Sequence, residues 1–220
     1  MTIDFDYACE GGIDPSFGIG DGFCVYLING EKTTGPGAQG GALGYSYIKQ
    51  GAINIPGVTA GYVGIGFDNY GKFTSTLAGP DGPGRLPNTL GVRGSGNKMT
   101  GFSWLTGVPV PDGIRAPWDE GAHIQVSIIN GRLTVRHSSK SDPNGSLLIA
   151  DFDLAGRPGQ IEMPATFKLG FAAGTGGATA AHRIRNLTVA WAAAAIWWAW
   201  SWSGVCWSAM RVSRSALAAR

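Results

Sequence analysis

Residues 123–137 read HIQVSIINGRLTVRH, two arms of alternating apolar and polar side chains joined by Asn130 and Gly131. Alternation at period two lines one face of a pleated strand with apolar groups. An Asn-Gly pair supplies the two positive φ angles of a type I′ turn, whose twist matches that of the strands it joins. The stretch predicts an antiparallel hairpin with Ile128 opposite Leu133, and with it an antiparallel β protein.

Similar short runs lie on both sides. Ile3 to Ala8, Phe23 to Ile28, Gly61 to Asp68, Thr89 to Gly94 and Met99 to Leu105 precede the hairpin, and Leu147 to Asp153, Phe167 to Ala172 and His182 to Val189 follow it. The first two are expected to pair as antiparallel neighbours across the turn-rich GGIDPSFGIGD of residues 11–21. With 36 glycines and 12 prolines in 220 residues, the chain is rich in turns and leaves little room for long helices. The expectation is one all-β sandwich, large enough to bury a core without disulfide staples. No repeat at a period of about 20 to 50 residues suggests a propeller or solenoid.

A net charge of +2 with 15% charged residues offers no basic stripe for a phosphate backbone, so nucleic acid is not an expected partner. The cysteines Cys9, Cys24 and Cys206 form neither a metal-ligand cluster nor a disulfide framework. Cys9 and Cys24 read first as small buried side chains, with a bond across a hairpin as the alternative in an exported protein. No cationic segment followed by an apolar run marks a signal peptide. Because TIDFDYA already alternates from residue 2, the chain is expected to begin in mid-sheet, without an export signal or first strand.

Five blocks in order carry a family resemblance: GDGFCVYL (20–27), GGALGYSY (40–47), GYVGIGFDNYGKF (61–73), PNTLGVRGSG (87–96) and FKLGFAAGTGGATAAHRIRNLTV (167–189). Together they resemble the L-type (legume-type) lectins, specifically their bacterial relatives. The resemblance implies a concanavalin A-like jelly-roll sandwich over residues 1–189 that binds a glycan through loops at one end and carries out no catalysis. Sugar hydroxyls call for a carboxylate acceptor, a close backbone donor and an apolar platform. The family's carboxylate falls on Asp21, preceded there by a cis peptide, and its backbone donor on Gly41. Its calcium ligands fall on Asp68, the carbonyl of Tyr70 and Asp81.

One position departs from the family. Where the relatives carry an Asn that binds both calcium and sugar, this chain has Lys72. Lysine has three donors and no acceptor, so it ligates no hard cation. Two readings stay open: the Lys72 ammonium sits among Asp68 and Asp81 in place of the ion, or it faces solvent while those acids and the Tyr70 carbonyl hold calcium weakly. Manganese is not expected, since Gly66 and Thr89 stand where the plant proteins carry a glutamate and a histidine.

Tyr45, Tyr47, Tyr70 and Phe73 are candidate platforms, although an aromatic in a sandwich more often packs in the core. The loop from Gly174 to His182 resembles the rim that sets sugar preference, which makes His182 a further candidate. Sugar identity is not readable from these residues.

Two alternatives to sugar binding remain. A structural or adhesion module with a decayed site is kept open by Lys72. A glycoside hydrolase needs two carboxylates about 5 to 5.5 Å apart for retention, yet the strand that should present them has Gly66 beside Asp68. Asp151 and Asp153 read as solvated or turn-facing acids.

Residues 190–220 form a separate Trp/Ala-rich tail, expected to stand outside the sandwich. No residue from Asn186 to Met210 is charged, and Arg211, Arg214 and Arg220 follow. About 20 apolar residues span a bilayer as a helix, and basic residues beyond them predict a cytoplasmic end with the domain outside. The expected setting is therefore extracellular or cell-surface attached, with membrane contact through 190–210. The six tryptophans of that stretch fit the membrane interface better than its centre. The close SAMRVSRSALAAR is also similar to bacterial Pro-Glu-Pro sorting tails, without that tripeptide, and a frameshifted segment is the third reading. Relatives dimerise through sheet edges, but nothing in the sequence marks such an edge.

Overall fold

The Asn130–Gly131 turn forms as the sequence predicts, with φ of 50° and 75° and with Ile128 paired to Leu133. In the computed structural model the described residues are 1–12, 19–191 and the backbone of 210–213. In chain order the strands are β1 (Thr2–Glu10), β2 (Gly22–Asn29), β3 (Ile48–Gln50), β4 (Ile53–Ile55), β5 (Gly61–Asp68), β6 (Thr89–Arg93), β7 (Gly96–Asn97), β8 (Thr100–Gly101), β9 (Trp104–Pro109), β10 (Ala122–Ile129), β11 (Arg132–Ser138), β12 (Ser146–Asp153), β13 (Thr166–Gly174), β14 (Ala181–Ala190) and β15 (Met210–Ser213). Among the described residues these strands pair antiparallel throughout.

One sheet runs β12-β11-β10-β1-β14, and the other runs β15-β13-β2-β5-β6-β9 with the small β7–β8 hairpin beside β5. This corrects the expected pairing of the first two strands. β1 and β2 lie in opposite sheets and meet face to face, with the rings of Phe5 and Phe23 6.3 Å apart. Period two tells which side chains share a face but not which sheet a strand joins.

Between the sheets, Ile3, Phe5, Tyr7 and Cys9 of β1 pack against Phe23, Val25 and Leu27 of β2 and Val63, Ile65 and Phe67 of β5. The alternate residues of β2, namely Cys24, Tyr26 and Ile28, point the other way. They join Leu43, Tyr45, Val58, Phe73 and Phe102 in a second apolar cluster on the outer face of the sheet. Strands covered on both faces explain why GFCVYLIN and GYVGIGFD read as nearly unbroken apolar runs.

The same arrangement settles the cysteines. Cys9 faces the inner core and Cys24 the outer cluster, both as free thiols that burial pushes up in pKa. No hairpin places them opposite each other.

Two boundaries move. The strand expected over Met99 to Leu105 starts at Trp104, because Lys98, Gly101 and Phe102 take positive φ and turn the chain into the β7–β8 hairpin. At the other end, β14 closes at Ala190, near the expected Val189. The tail does not stand wholly apart, however: the backbone of Met210–Ser213 pairs with β13 from Thr166 to Leu169 at the sheet edge. The membrane-span, sorting-tail and frameshift readings rest mainly on residues 192–209 and 214–220, which lie outside the described residues. Among the described residues no helix is long and apolar enough to cross a membrane.

Candidate functional site

Asp21 sits where the chain enters β2, and it is 4% exposed. Its neighbours fix it from both sides. Gly20 donates to the Thr179 carbonyl at 2.9 Å, and the Asp21 carbonyl accepts from Asn69 at 2.9 Å and Tyr70 at 3.3 Å. Gly22 has φ of 132° and presses on the Phe67 carbonyl, a place no side chain fits. The peptide before Asp21 is trans, so the cis bond implied by the family resemblance is not found.

The Asp21 carboxylate lies in the gap between two glycine loops. Its Oδ2 is 3.8 Å from where a Cβ would stand on Gly40 and 3.4 Å from the corresponding point on Gly176. Four segments thus converge on one end of the sandwich: 20–22, 39–44, 69–73 and 174–179. Burial raises the Asp21 pKa, while the charge of Lys72 and its own backbone N–H act to lower it.

Lys72 does not take the first of its two expected positions, between Asp68 and Asp81. Among the described residues no ion pair joins it to Asp68 or Asp81. Its aliphatic chain instead covers Gly41, where an added Cβ would run into Lys72 Cβ and lie 2.9 Å from Cδ. The close approach that Gly41 permits is therefore by Lys72. Beyond Gly41 the Lys72 ammonium lies 5.1 Å from the centre of the Tyr70 ring.

Of the candidate platforms, Tyr45 and Phe73 are fully buried, and half-buried Tyr47 packs on Phe102. Tyr70 alone among the four stays half-buried within the loop cluster, and the Arg85 guanidinium covers one side of it at 4.0 Å.

The residues expected to bind calcium are differently engaged. Asp68 is fully buried and accepts from the Gly71 N–H at 2.7 Å through Oδ1 and from the Thr74 N–H at 3.0 Å through Oδ2. Burial pushes its carboxyl up to about 7 against these backbone donors. The Tyr70 carbonyl accepts from Arg85 Nε at 3.0 Å. Asp81 is exposed on a turn with φ of 64°. Among the described residues, no three His, Cys, Asp or Glu side chains gather as metal ligands. Calcium takes six to eight oxygen ligands, water included; here each Asp68 oxygen already accepts a backbone N–H, and the Tyr70 carbonyl accepts from the Arg85 guanidinium, whose positive charge would repel an ion placed beside it. The donor set does not fit calcium.

Two charged residues here were not singled out by sequence reasoning: Arg93 and Arg85. Arg93 on β6 is 0% exposed, and its guanidinium donates to four carbonyls: Phe73 at 2.9 Å, Ser75 at 2.7 Å, Pro80 at 3.2 Å and Phe102 at 2.7 Å. Burial pushes it down to about 10, with Tyr47, Asp68 and Asp81 acting in the opposite direction, so it remains charged at neutral pH. A lone cation within the apolar strand TLGVR was the available signal.

Gly66 also has a local reason. A Cβ there would meet the Phe73 ring at 2.5 Å, so this position has no room for an acid. The remaining acids of the hydrolase reading lie elsewhere: Asp151 pairs with Arg132 at 2.6 Å and Asp153 caps the Gly156 N–H at 3.2 Å.

His182 does not line the rim. It stands second in β14, opposite Cys9, and turns inward, its ring 6.1 Å from that of Phe23, with neither nitrogen partnered among the described residues. Burial pulls its pKa from 6.5 down to about 4, which keeps the folded imidazole neutral. As pH falls from 6.5, the unfolded chain takes up a proton that the folded one refuses, so stability is lost progressively until about pH 4. The full loss is about 3 kcal/mol. His182→Phe is expected to flatten that part of the profile, measured as the wild-type-minus-variant difference in unfolding free energy from pH 7 to 4.

No protein-family model matches the chain, and no curated protein matches it in sequence. Solved structures do resemble it. The VIP36 exoplasmic/lumenal domain in its Ca2+/Man3GlcNAc-bound form superposes with a TM-score of 0.53 at 16% identity, covering 83% of this chain and 66% of that one. The metal-free form of the same domain gives 0.51 at 17% identity over 83% and 65%. Peanut lectin with a nine-residue peptide gives 0.52 at 18% identity over 83% and 67%. The chain thus spans just under two thirds of the VIP36 domain's length. What it shares with these proteins is the fold, the concanavalin A-like sandwich of the L-type lectins.

Proposed function

We propose that the protein is a carbohydrate-binding module that takes a glycan at the loop end of the sandwich, without catalysis. The observation that carries this reading is Asp21, a buried carboxylate held by backbone contacts between the Gly40 and Gly176 loops. A carboxylate so placed accepts hydrogen bonds from adjacent sugar hydroxyls at little cost in reorganisation. Tyr70 is the side chain best placed to offer a ring face, and Lys72 the donor beside it. The VIP36 domain, on the same fold, has been solved with mannose glycans bound, which supports a glycan as the class of ligand. The setting proposed with it is the cell exterior, which rests on the sequence of the tail.

Lys72 lying over Gly41 favours a second reading, a structural or adhesion module whose sugar site has closed. A glycan array probed with the full chain separates the two. Binding that Asp21→Ala weakens at least about tenfold, the loss of a charge-assisted hydrogen-bond pair, supports the site. An array without signal, or a signal that the substitution leaves intact, favours the closed module.

A further inference from the structure

The loop from Asp68 to Asp81 carries the acids that the family resemblance assigns to calcium, yet Asp68 is engaged by the chain's own amides and Asp81 is exposed on a turn. Beneath the loop, Arg93 gathers the carbonyls of Phe73, Ser75, Pro80 and Phe102. Its access depends on Gly79, where a Cβ would lie 2.7 Å from the guanidinium. Above, Arg85 binds the Tyr70 carbonyl and lies over the Tyr70 ring. Asp68 ties the Gly71 and Thr74 amides, and the Thr74 hydroxyl donates to the carbonyls of Gly71 and Gly84. These are the tasks of a bound cation: gathering carbonyls and fixing a carboxylate within a turn.

We propose that Arg93 and Arg85 act as built-in cations that hold this loop in shape, so that the protein keeps its folded loop end without a divalent metal. Lys72 is not the substitute: its ammonium lies near Tyr70 and its stem covers Gly41. A guanidinium suits the task because its planar fork satisfies several oxygens at once and stays charged at neutral pH.

The test uses the full chain in detergent, dialysed against chelator and then melted with and without millimolar calcium. A midpoint shift of less than about 1 °C is expected, against about 5–10 °C for an ion at a hundred times its dissociation constant. Lys72→Asn, which restores the family residue, sharpens the result. It is expected to bind no stoichiometric calcium by titration calorimetry, because Asp68 and the Tyr70 carbonyl remain occupied. Arg85→Ala, at an exposed position, is expected to speed amide exchange of residues 70–74 while the β10–β11 hairpin keeps its protection. Saturable calcium stabilisation of the wild type, calcium binding by Lys72→Asn, or unchanged exchange in Arg85→Ala would each overturn the proposal. All three readouts concern the protein alone, so they stand whether or not a glycan binds.

Discussion

Replacing Arg93 with methionine is expected to lower the unfolding free energy by about 3–5 kcal/mol. The substitution keeps much of the stem but removes the fork from four carbonyls, which water reaches poorly because the site is closed. Each orphaned acceptor costs part of its desolvation penalty, and relaxation of the loop recovers the remainder. Lysine at the same position restores the charge but cannot reproduce the four-way geometry, so an intermediate loss is expected. Urea midpoints of the three proteins at one slope give the comparison. A methionine variant within about 1 kcal/mol of wild type would mean that the carbonyls find other partners and that the cage is ornamental.

Phe23→Ala is expected to be as damaging, at about 3–5 kcal/mol. The ring stacks on Phe67 at 4.6 Å and 4°, tilts over Tyr7 at 4.5 Å and reaches His182 at 6.1 Å. It therefore fastens the two sheets directly beneath the loop end. Deleting it leaves a cavity bounded by strands that are already paired and cannot collapse. Because Asp21 lies two residues before Phe23 and Asp68 one after Phe67, the loss is expected to register at the loops as well as in the midpoint. Conversely, Phe23→Leu keeps most of the volume and should cost well under half as much. Equal losses for alanine and leucine would count against a cavity as the cause.

Much of the fold could be read from residues whose geometry is local. Asn130 and Gly131 dictate their own turn, and with it the register of β10 and β11. The period-two rows of β1 and β13 likewise need only pleat geometry. Placement of β2 beside β13 and β5, across the core from β1, depended on which apolar face found which partner, and alternation carries no such information. The strand expected at Met99 failed for a related reason: Phe102 looks like a strand residue, but its ring is drawn to the outer cluster while its backbone turns.

At the candidate site, the convergence of the residues was legible and their local partners were not. Resemblance brought together Asp21, Gly41, Tyr70 and Lys72, which do meet at one end of the sandwich. It assigned His182 to the rim, but that ring turned inward because its strand parity matches the inner face opposite Cys9. Arg93 went unnoticed because its partners are backbone carbonyls, which have no letter in a sequence. Arg85 escaped for the same reason.

The contact between Lys72 and Gly41 has a consequence for how such a chain can change over generations. Any side chain larger than hydrogen at position 41 collides with Lys72, so the two loops constrain each other although 31 positions separate them. Shortening the residue at 72 does not lift the restriction, because the atom nearest that point is the Lys72 Cβ, which every residue but glycine carries. Position 41 is thus held to glycine by the close course of the two loops and not by the length of the lysine, and it becomes free to vary only if the loops move apart.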